Sequence, residues 1–408
     1  MQEGGTVRLH LPAPLLSRLR NLPWHLPLEK WKRPSVRFIE IRSGLSRHVV
    51  RFVERKGMRF AIKETSFESA VREYDQYLRL RALGIPTLEP LGVVRRSEGI
   101  ATVPTIAGRQ YHEQCTGYLI TAVMEHVVPD SFLFRRGFST ANRRRIWDAI
   151  IRLFVEMHLN GVYWGDASLA NMLILFGNEH VPGLGQRTHL TAVLADAETV
   201  ELHPVISPSL RNADVGFFLE SMQWTEADLR ASGVVRDPVM TRDDLQYVLQ
   251  EYTRRIAVEQ EMRSFELVTL IDVDRLLGNF DVAGYGALLL RHIHEHKWFV
   301  SERLGKEISL EDAAGDWYRE VFKPVCRLFK EYGLPDFFPE KTAASLYVEI
   351  MEHKYFMSQH EGRDVGLVRA LNDYATRFTA QEPLFLALRS LGRVLATLLR
   401  RAPVACAG

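Results

Sequence analysis

Between residues 36 and 63 apolar and polar positions change places in short runs. Val36-Arg37-Phe38-Ile39-Glu40-Ile41, Val49-Val50-Arg51-Phe52-Val53 and Arg59-Phe60-Ala61-Ile62-Lys63 read as three strands. Ser43-Gly44-Leu45-Ser46 and Lys56-Gly57 are the turns between them. The period then lengthens. Phe67 to Leu83 places Ala70, Tyr74, Tyr77 and Leu78 on one side of a helix that Gly84 stops. An extended segment runs to Leu91, Gly92 punctuates it, and Val93-Val94 opens another strand. Tyr118 to His126 reads as a buried strand followed by a polar link. From Asn142 to Asn160 the spacing of Ile146, Ile150, Leu153, Phe154 and Met157 predicts an amphipathic helix ending before Gly161. Met172 to Leu175 is an apolar strand, 177–189 a loop rich in glycine and polar residues, and Leu190 to Ala195 a second apolar strand.

Beyond residue 200 helical periodicity dominates. It predicts helices over 245–262, 273–277, 285–303, 310–322, 342–357, 364–378 and 383–400, with Ser309 as an N-cap and breaks at Pro324 and Pro335. The pattern changes suggest an amino-terminal arm (1–35), a strand-rich lobe (36–125), a second lobe (126–240) and a helical region (241–408).

Composition narrows the classes. At 408 residues the chain can hold two or three domains, and a formal net charge of +2 gives no warrant for a nucleic-acid partner. The three cysteines, Cys115, Cys326 and Cys406, are too scattered for a disulfide framework or a metal set, which favours a reducing compartment. With no signal-peptide pattern and no apolar run long enough to span a bilayer, a cytoplasmic protein is expected. In the arm, Pro12, Pro14, Pro23, Pro27 and Pro34 prevent one long helix. The arm is expected to pack on the domain. Its basic residues, and the basic amphipathic segment 383–400, leave a weak contact with an anionic membrane surface as the alternative. Arg143-Arg144-Arg145 reads as a solvated face. His292, His294 and His296 do not converge as ligands on a helix, since only the first and third share a face.

The chemistry gathers in one ordered set. A strand ending in Lys63 follows a strand–turn–strand, as where an ammonium holds the α- and β-phosphates of a nucleotide. Glu73 lies ten residues on, in the next helix, as a partner for that ammonium; Glu64 and Glu68 are rivals. Gly44 sits where a phosphate-covering loop belongs, and the link Glu125 to Val127 is a hinge that could hold an adenine edge. Asp166 and Asn171, five apart just after a helix, suit a carboxylate that accepts a hydroxyl proton and an amide oxygen that binds a metal. Asp196, at the end of the next strand, and Glu198 add hard oxygen donors of the kind Mg²⁺ prefers.

This order resembles that of kinases. The residues 161–166 (Gly-Val-Tyr-Trp-Gly-Asp) and Asp196-Ala197-Glu198-Thr199 are similar to those of bacterial lipopolysaccharide-kinase-like proteins related to Kdo kinases. The residues 296–302 and 312–318 resemble the downstream segment of an uncharacterised branch with an added helical domain. The resemblance implies an α+β, bilobal protein-kinase-like fold, with an antiparallel β-rich first lobe and a helical second lobe, extended by a mostly helical region. It also implies an ATP- and Mg²⁺-dependent phosphotransferase acting on a hydroxyl of a small-molecule or glycan acceptor, such as an envelope sugar. There are departures from protein kinases: Trp164 stands at the usual histidine, Ser168 at the usual lysine and Ala197-Glu198 at Phe-Gly, and no Ala-Pro-Glu segment follows. Two alternatives stay open, a nucleotide-sensing pseudokinase and an AMP-transferring enzyme. The oligomeric state is not legible.

Overall fold

The computed structural model describes residues 7–40, 48–105, 108–129, 133–135, 138–181, 185–278 and 281–378. The chain divides into two compact units at Tyr252/Thr253. Gly44 and the segment 383–400 lie outside the described residues. Among the described residues no helix is long and apolar enough to cross a membrane.

The first unit opens with strand β1 (Val7–His10) and helix α1 (Ala13–Leu19). Then come β2 (Arg37–Phe38), β3 (Val49–Arg55), β4 (Met58–Ser66), helix α2 (Phe67–Ala82), β5 (Pro90–Thr105) and β6 (Gly108–Ala122). These strands form one sheet in the order β1-β5-β6-β4-β3-β2, and every neighbouring pair is antiparallel. The expected first strand, 36–41, shrinks to Arg37–Phe38, while β5 and β6 pair over far more residues than their apolar stretches suggested. Backbone pairing carries a hairpin beyond its hydrophobic segment, so polar composition hides its length. The arm packs into this lobe: Leu19, Leu22, Trp24, Leu28 and Trp31 share a core with Phe60, Ile62 and Tyr118. The Trp24 and Trp31 rings meet edge to face at 5.1 Å.

After β7 (Val127–Pro129) the chain enters helix α3 (Thr140–Leu159), β8 (Val162–Tyr163), β9 (Met172–Val181), β10 (Gly185–Leu194) and β11 (Glu201–Leu202). Helices α4 (Pro208–Ala231) and α5 (Arg242–Thr269) follow. Of the stretch read as a loop, 177–189, residues 177–181 and 185–189 are instead paired strand. Val181 faces Gly185, and Leu194 faces Met172. Thr87, between α2 and β5, joins the lobes: its hydroxyl donates to the Leu194 carbonyl at 2.8 Å, and Leu194 N–H donates to the Pro86 carbonyl. A six-stranded antiparallel sheet with one helix against it, joined to a helical lobe carrying small ladders, is the bilobal protein-kinase-like fold.

The arginine run at the start of α3 is solvated at Arg144 and Arg145, but its members also make contacts. Arg143 forms a pair of bonds to Asp244 at 3.1 and 3.2 Å, Arg144 lies over the Tyr247 ring, and Arg145 donates to the Thr188 carbonyl. Asp244 in turn accepts from Thr241 N–H at 2.8 Å, so this cluster ties the start of α5 to α3.

The second unit continues from α5 through α6 (Val273–Leu276), α7 (Tyr285–Leu304), α8 (Leu310–Trp317), α9 (Lys323–Tyr332), α10 (Leu334–Phe337), α11 (Ala343–Glu361) and α12 (Leu367–Phe378). Trp317, Phe322, Phe329 and Tyr347 fill its core. Ser309 accepts from Asp312 N–H at 3.0 Å as the N-cap of α8. Pro324 does not break the chain. A π turn at Tyr318–Phe322 carries α8 into α9, whose first turn needs no N–H from the proline.

Candidate active site

Lys63 is held by sheet register. On β4 it stands opposite Val50 on one side and Leu119 on the other. Helix α2 starts where Ser66 accepts from Ser69 N–H at 3.0 Å. Ala70, Glu73, Tyr77 and Leu80 then recur on its buried face. A glutamate in phase with an apolar stripe needs a partner, and it has one: Glu73 Oε2 lies 2.9 Å from Lys63 Nζ. The rival Glu64 instead accepts from Leu28 N–H, with Arg96 3.6 Å away. Lys63 Nζ also donates to Asp196 Oδ2 at 3.0 Å and lies 3.5 Å from Glu198 Oε2. Three carboxylates therefore share one ammonium, and donor atoms of Glu73, Asp196 and Glu198 lie within 4.8 Å of one another.

The electrostatics follow from that imbalance. Burial pushes the Glu73 carboxyl up to about 7; the Asp196 charge adds to the rise and Lys63 opposes it. Burial works to lower the Lys63 ammonium, but the charges of Glu73 and Asp196 outweigh it and hold it above its ordinary value. The Tyr77 hydroxyl lies 2.7 Å from the Ala195 carbonyl and 3.0 Å from Glu73 Oε1. It has one hydrogen for two acceptors, so both contacts are satisfied together when Glu73 carries a proton.

Asp166 is placed by a chain of backbone constraints. Helix α3 ends at Gly161, whose φ of +74° is left-handed and whose backbone lies too close to the His203 carbonyl for a Cβ. Gly165, at φ +82°, makes a second sharp turn just before Asp166. Between them Asp214 of α4, fully buried, accepts from Trp164 N–H at 2.7 Å and Gly165 N–H at 2.8 Å. His158 lies 3.3 Å from the same carboxylate, and Tyr252 OH is 2.7 Å from the other nitrogen of that imidazole. The Asn171 amide nitrogen reaches Asp166 at its carbonyl (3.0 Å) and its carboxylate (3.3 Å). Because the amide is planar, its oxygen then faces away from Asp166.

Trp164 accounts for its own presence. Its indole N–H donates to the Asp196 carbonyl at 2.9 Å, and its carbonyl accepts from Thr199 Oγ1 at 2.8 Å. The ring, fully buried beside Phe154, thus joins the Asp166 loop to the Asp196 segment. Ala195 N–H donates to the Asn171 carbonyl at 2.9 Å, a second tie between the same segments. Asp166, Asn171, Asp196 and Glu198 line one groove of about 1630 Å³. Its mouth includes His48, whose Nε2 is 3.1 Å from Glu198 Oε2. Glu125 and Val127 fall on the link between β6 and β7. The Glu125 side chain is exposed, 3.4 Å from Arg59, and Val127 pairs with Leu175. Neither side chain lines the groove, so the adenine reading there concerns backbone alone.

The sequence did not disclose Asp214, His158, Tyr77 or His48. The signal for Asp214 was present: it stands in phase with Phe218 and Met222, an acid on an otherwise apolar stripe. Of the three histidines, His296 is 2.8 Å from Asp316 and His292 lies against Tyr347.

A family model described as "Domain of unknown function (DUF4032)" matches residues 311–379, within the second unit. Among curated proteins nothing matches the chain. The chain is similar to the solved structure "WaaP in complex with acyl carrier protein", at 17% identity and TM-score 0.37, over 64% of this chain and 93% of that one. It is also similar to an aminoglycoside-3'-phosphotransferase of type VIII, at 14% and 0.32, over 59% of this chain and 100% of that one. A third is the Rio2 kinase from Chaetomium thermophilum, at 15% and 0.30, over 54% and 69%.

Proposed function

We propose that the first unit is an ATP- and Mg²⁺-dependent phosphotransferase that acts on a hydroxyl group of a small, non-protein acceptor. The observation that carries this is the excess of negative charge around Lys63. Glu73, Asp196 and Glu198 converge on one ammonium, beside a groove that also holds Asp166 and Asn171. The donor set fits Mg²⁺: Asp196 and Glu198 offer carboxylate oxygens and Asn171, in the same groove, an amide oxygen. When bound, Mg-ATP supplies the transferable γ-phosphoryl group and the positive charge that balances it.

The chain's own residues do the rest. Asp166 orients the acceptor hydroxyl and takes its proton as the acceptor oxygen bonds to phosphorus and the bond to the ADP oxygen breaks. Lys63, aligned by Glu73, fixes the phosphates. Trp164 ties the Asp166 loop to the Asp196 segment and Asp214 anchors that loop to α4, so the two halves of the site keep their spacing. Only residues 199–207 separate Glu198 from α4, and they include β11. That connection leaves little chain for a peptide-docking segment, which favours a small acceptor over a protein.

The test is phosphoryl transfer from labelled ATP by wild type and Asp166→Asn in a metabolite extract, with products read by mass spectrometry. The expected result is a phosphorylated product that Asp166→Asn fails to make, while Mg-ATP still raises its melting temperature. Binding of Mg-ATP with no product in wild type would favour the nucleotide-sensing alternative. Label on the acceptor from the α-phosphate would favour AMP transfer.

A further inference from the structure

Helix α4 presents an unusual wall to the groove. Phe217, Glu220, Ser221, Trp224, Thr225 and Asp228 follow one another at helical spacing and all line the cavity that holds Asp166. Trp224 is 69% exposed and Phe217 49% exposed, although Val215, Phe218 and Met222 on the opposite side are buried. The wall is fixed against the Asp166 loop, because Ser221 Oγ accepts from Leu169 N–H at 3.2 Å. Apart from the Thr225 hydroxyl, its polar chemistry is one-sided. Glu220 and Asp228 only accept, and Ser221 and Ser232 spend their hydroxyl hydrogens on the carbonyls of Phe218 and Asp228. The arginines lining the groove, Arg72, Arg79 and Arg135, come from α2 and the 133–135 turn, not from α4.

We propose that this wall is the acceptor subsite, and that the acceptor carries an ammonium group close to the hydroxyl it offers to Asp166, as in an amino sugar or an amino alcohol. The inference rests on the phosphotransferase reading for the hydroxyl's role, but not for the binding. An exposed indole beside carboxylates attracts a cation through its ring face and through charge. A neutral sugar can donate its hydroxyl hydrogens to these carboxylates, but it leaves their charge unbalanced. A phosphorylated one would meet Glu220 and Asp228 as like charges.

Isothermal titration of the full chain, loaded with a non-hydrolysable Mg-ATP analogue, separates these cases. The probes are glucosamine, choline and ethanolamine against glucose and glucose 6-phosphate. At least one amine should bind, more weakly as salt rises. Trp224→Ala and the double variant Glu220→Gln/Asp228→Asn should each weaken it at least about tenfold. These side chains are exposed, so the variants should fold as wild type. Tighter binding of glucose or glucose 6-phosphate, or an amine affinity the wall variants leave unmoved, would overturn the inference. So would the absence of amine binding in protein whose melting temperature the Mg-ATP analogue raises, and the phosphotransferase reading would survive that. If amines bind this wall but no phosphorylated amine ever forms, the subsite stands and the phosphotransferase reading falls.

Discussion

Two clusters of partly buried charge, one in each unit, are built on opposite arithmetic. In the second unit Glu349 is a single carboxylate facing three donors. It accepts from Tyr285 OH at 2.6 Å, from Lys341 Nζ at 2.5 Å and from Tyr374 OH. Burial alone would raise its carboxyl, but the bonds from Lys341, Tyr285 and Tyr374 outweigh burial and hold it below the ordinary value. In the first unit three carboxylates face one ammonium, and Glu73 is pushed up instead. A cluster whose donors match its acceptors is finished, and it fastens α7, α11 and α12 together. One left with surplus negative charge beside a groove is what the proposed use of an external cation requires.

The largest test of that contrast is to remove one residue from each side of it. Asp166→Asn should lower turnover by about 10²- to 10⁴-fold, the usual worth of a positioned general base. It should leave folding and nucleotide binding intact. Glu349→Ala should do the reverse. It strands three donors that are partly out of water, and should cost about 2–4 kcal/mol of stability in chemical denaturation. Mg-ATP affinity should stay within about twofold of wild type. If Glu349→Ala abolished nucleotide binding while leaving stability alone, the division between a fastening cluster and a working one would be wrong.

How much of this was legible follows from what each feature needs from the rest of the fold. Lys63, Asp166 and Asp196 stand at ends of periodic segments, so pattern alone located them. Whether Lys63 meets Glu73 or Glu64 depends on which face of α2 packs inward, and the alternating strand could not say. Asp214 lies 49 residues from Gly165, and only the packing of α4 brings its carboxylate to the Asp166 loop. Trp164 looked like a defect when it was compared with histidine. In three dimensions its indole N–H reaches the backbone of Asp196, a service that only an N–H on a large ring could give from that position. The outer parts of β9 and β10 read as a loop because strands need no apolar alternation where the ladder alone pairs them.

A smaller effect probes the surplus charge directly. Glu73 is raised from 4.5 to about 7, so the folded state holds this proton more tightly than the unfolded chain does. Its contribution to stability is complete below pH 4.5 and is lost as pH rises through about 7. Unfolding free energies measured across that window should decline in wild type, and Glu73→Gln, which cannot ionise, should flatten the decline. Adding Mg²⁺ should lessen the decline in wild type by supplying the missing positive charge. An unchanged slope in Glu73→Gln would assign the titration to another group.

The smallest expected effect concerns a group on the finished side. Cys326, on α9, is pushed up to about 12 by burial, with Lys330 pulling weakly the other way. Only the thiolate reacts with alkylating reagents, so at pH 8 this thiol should be almost wholly protonated and slow. Iodoacetamide at pH 8, followed by peptide mass spectrometry, should leave Cys326 unmodified over times that label an unfolded control completely. Loosening the surrounding core should speed it. In Glu349→Ala the rate should rise by the factor by which local opening becomes more frequent, which makes Cys326 a reporter on the cluster that fastens this unit. Equal and rapid labelling in the folded and unfolded protein would show that the α9 face opens freely, and that the second unit is not the closed structure its balanced charges imply.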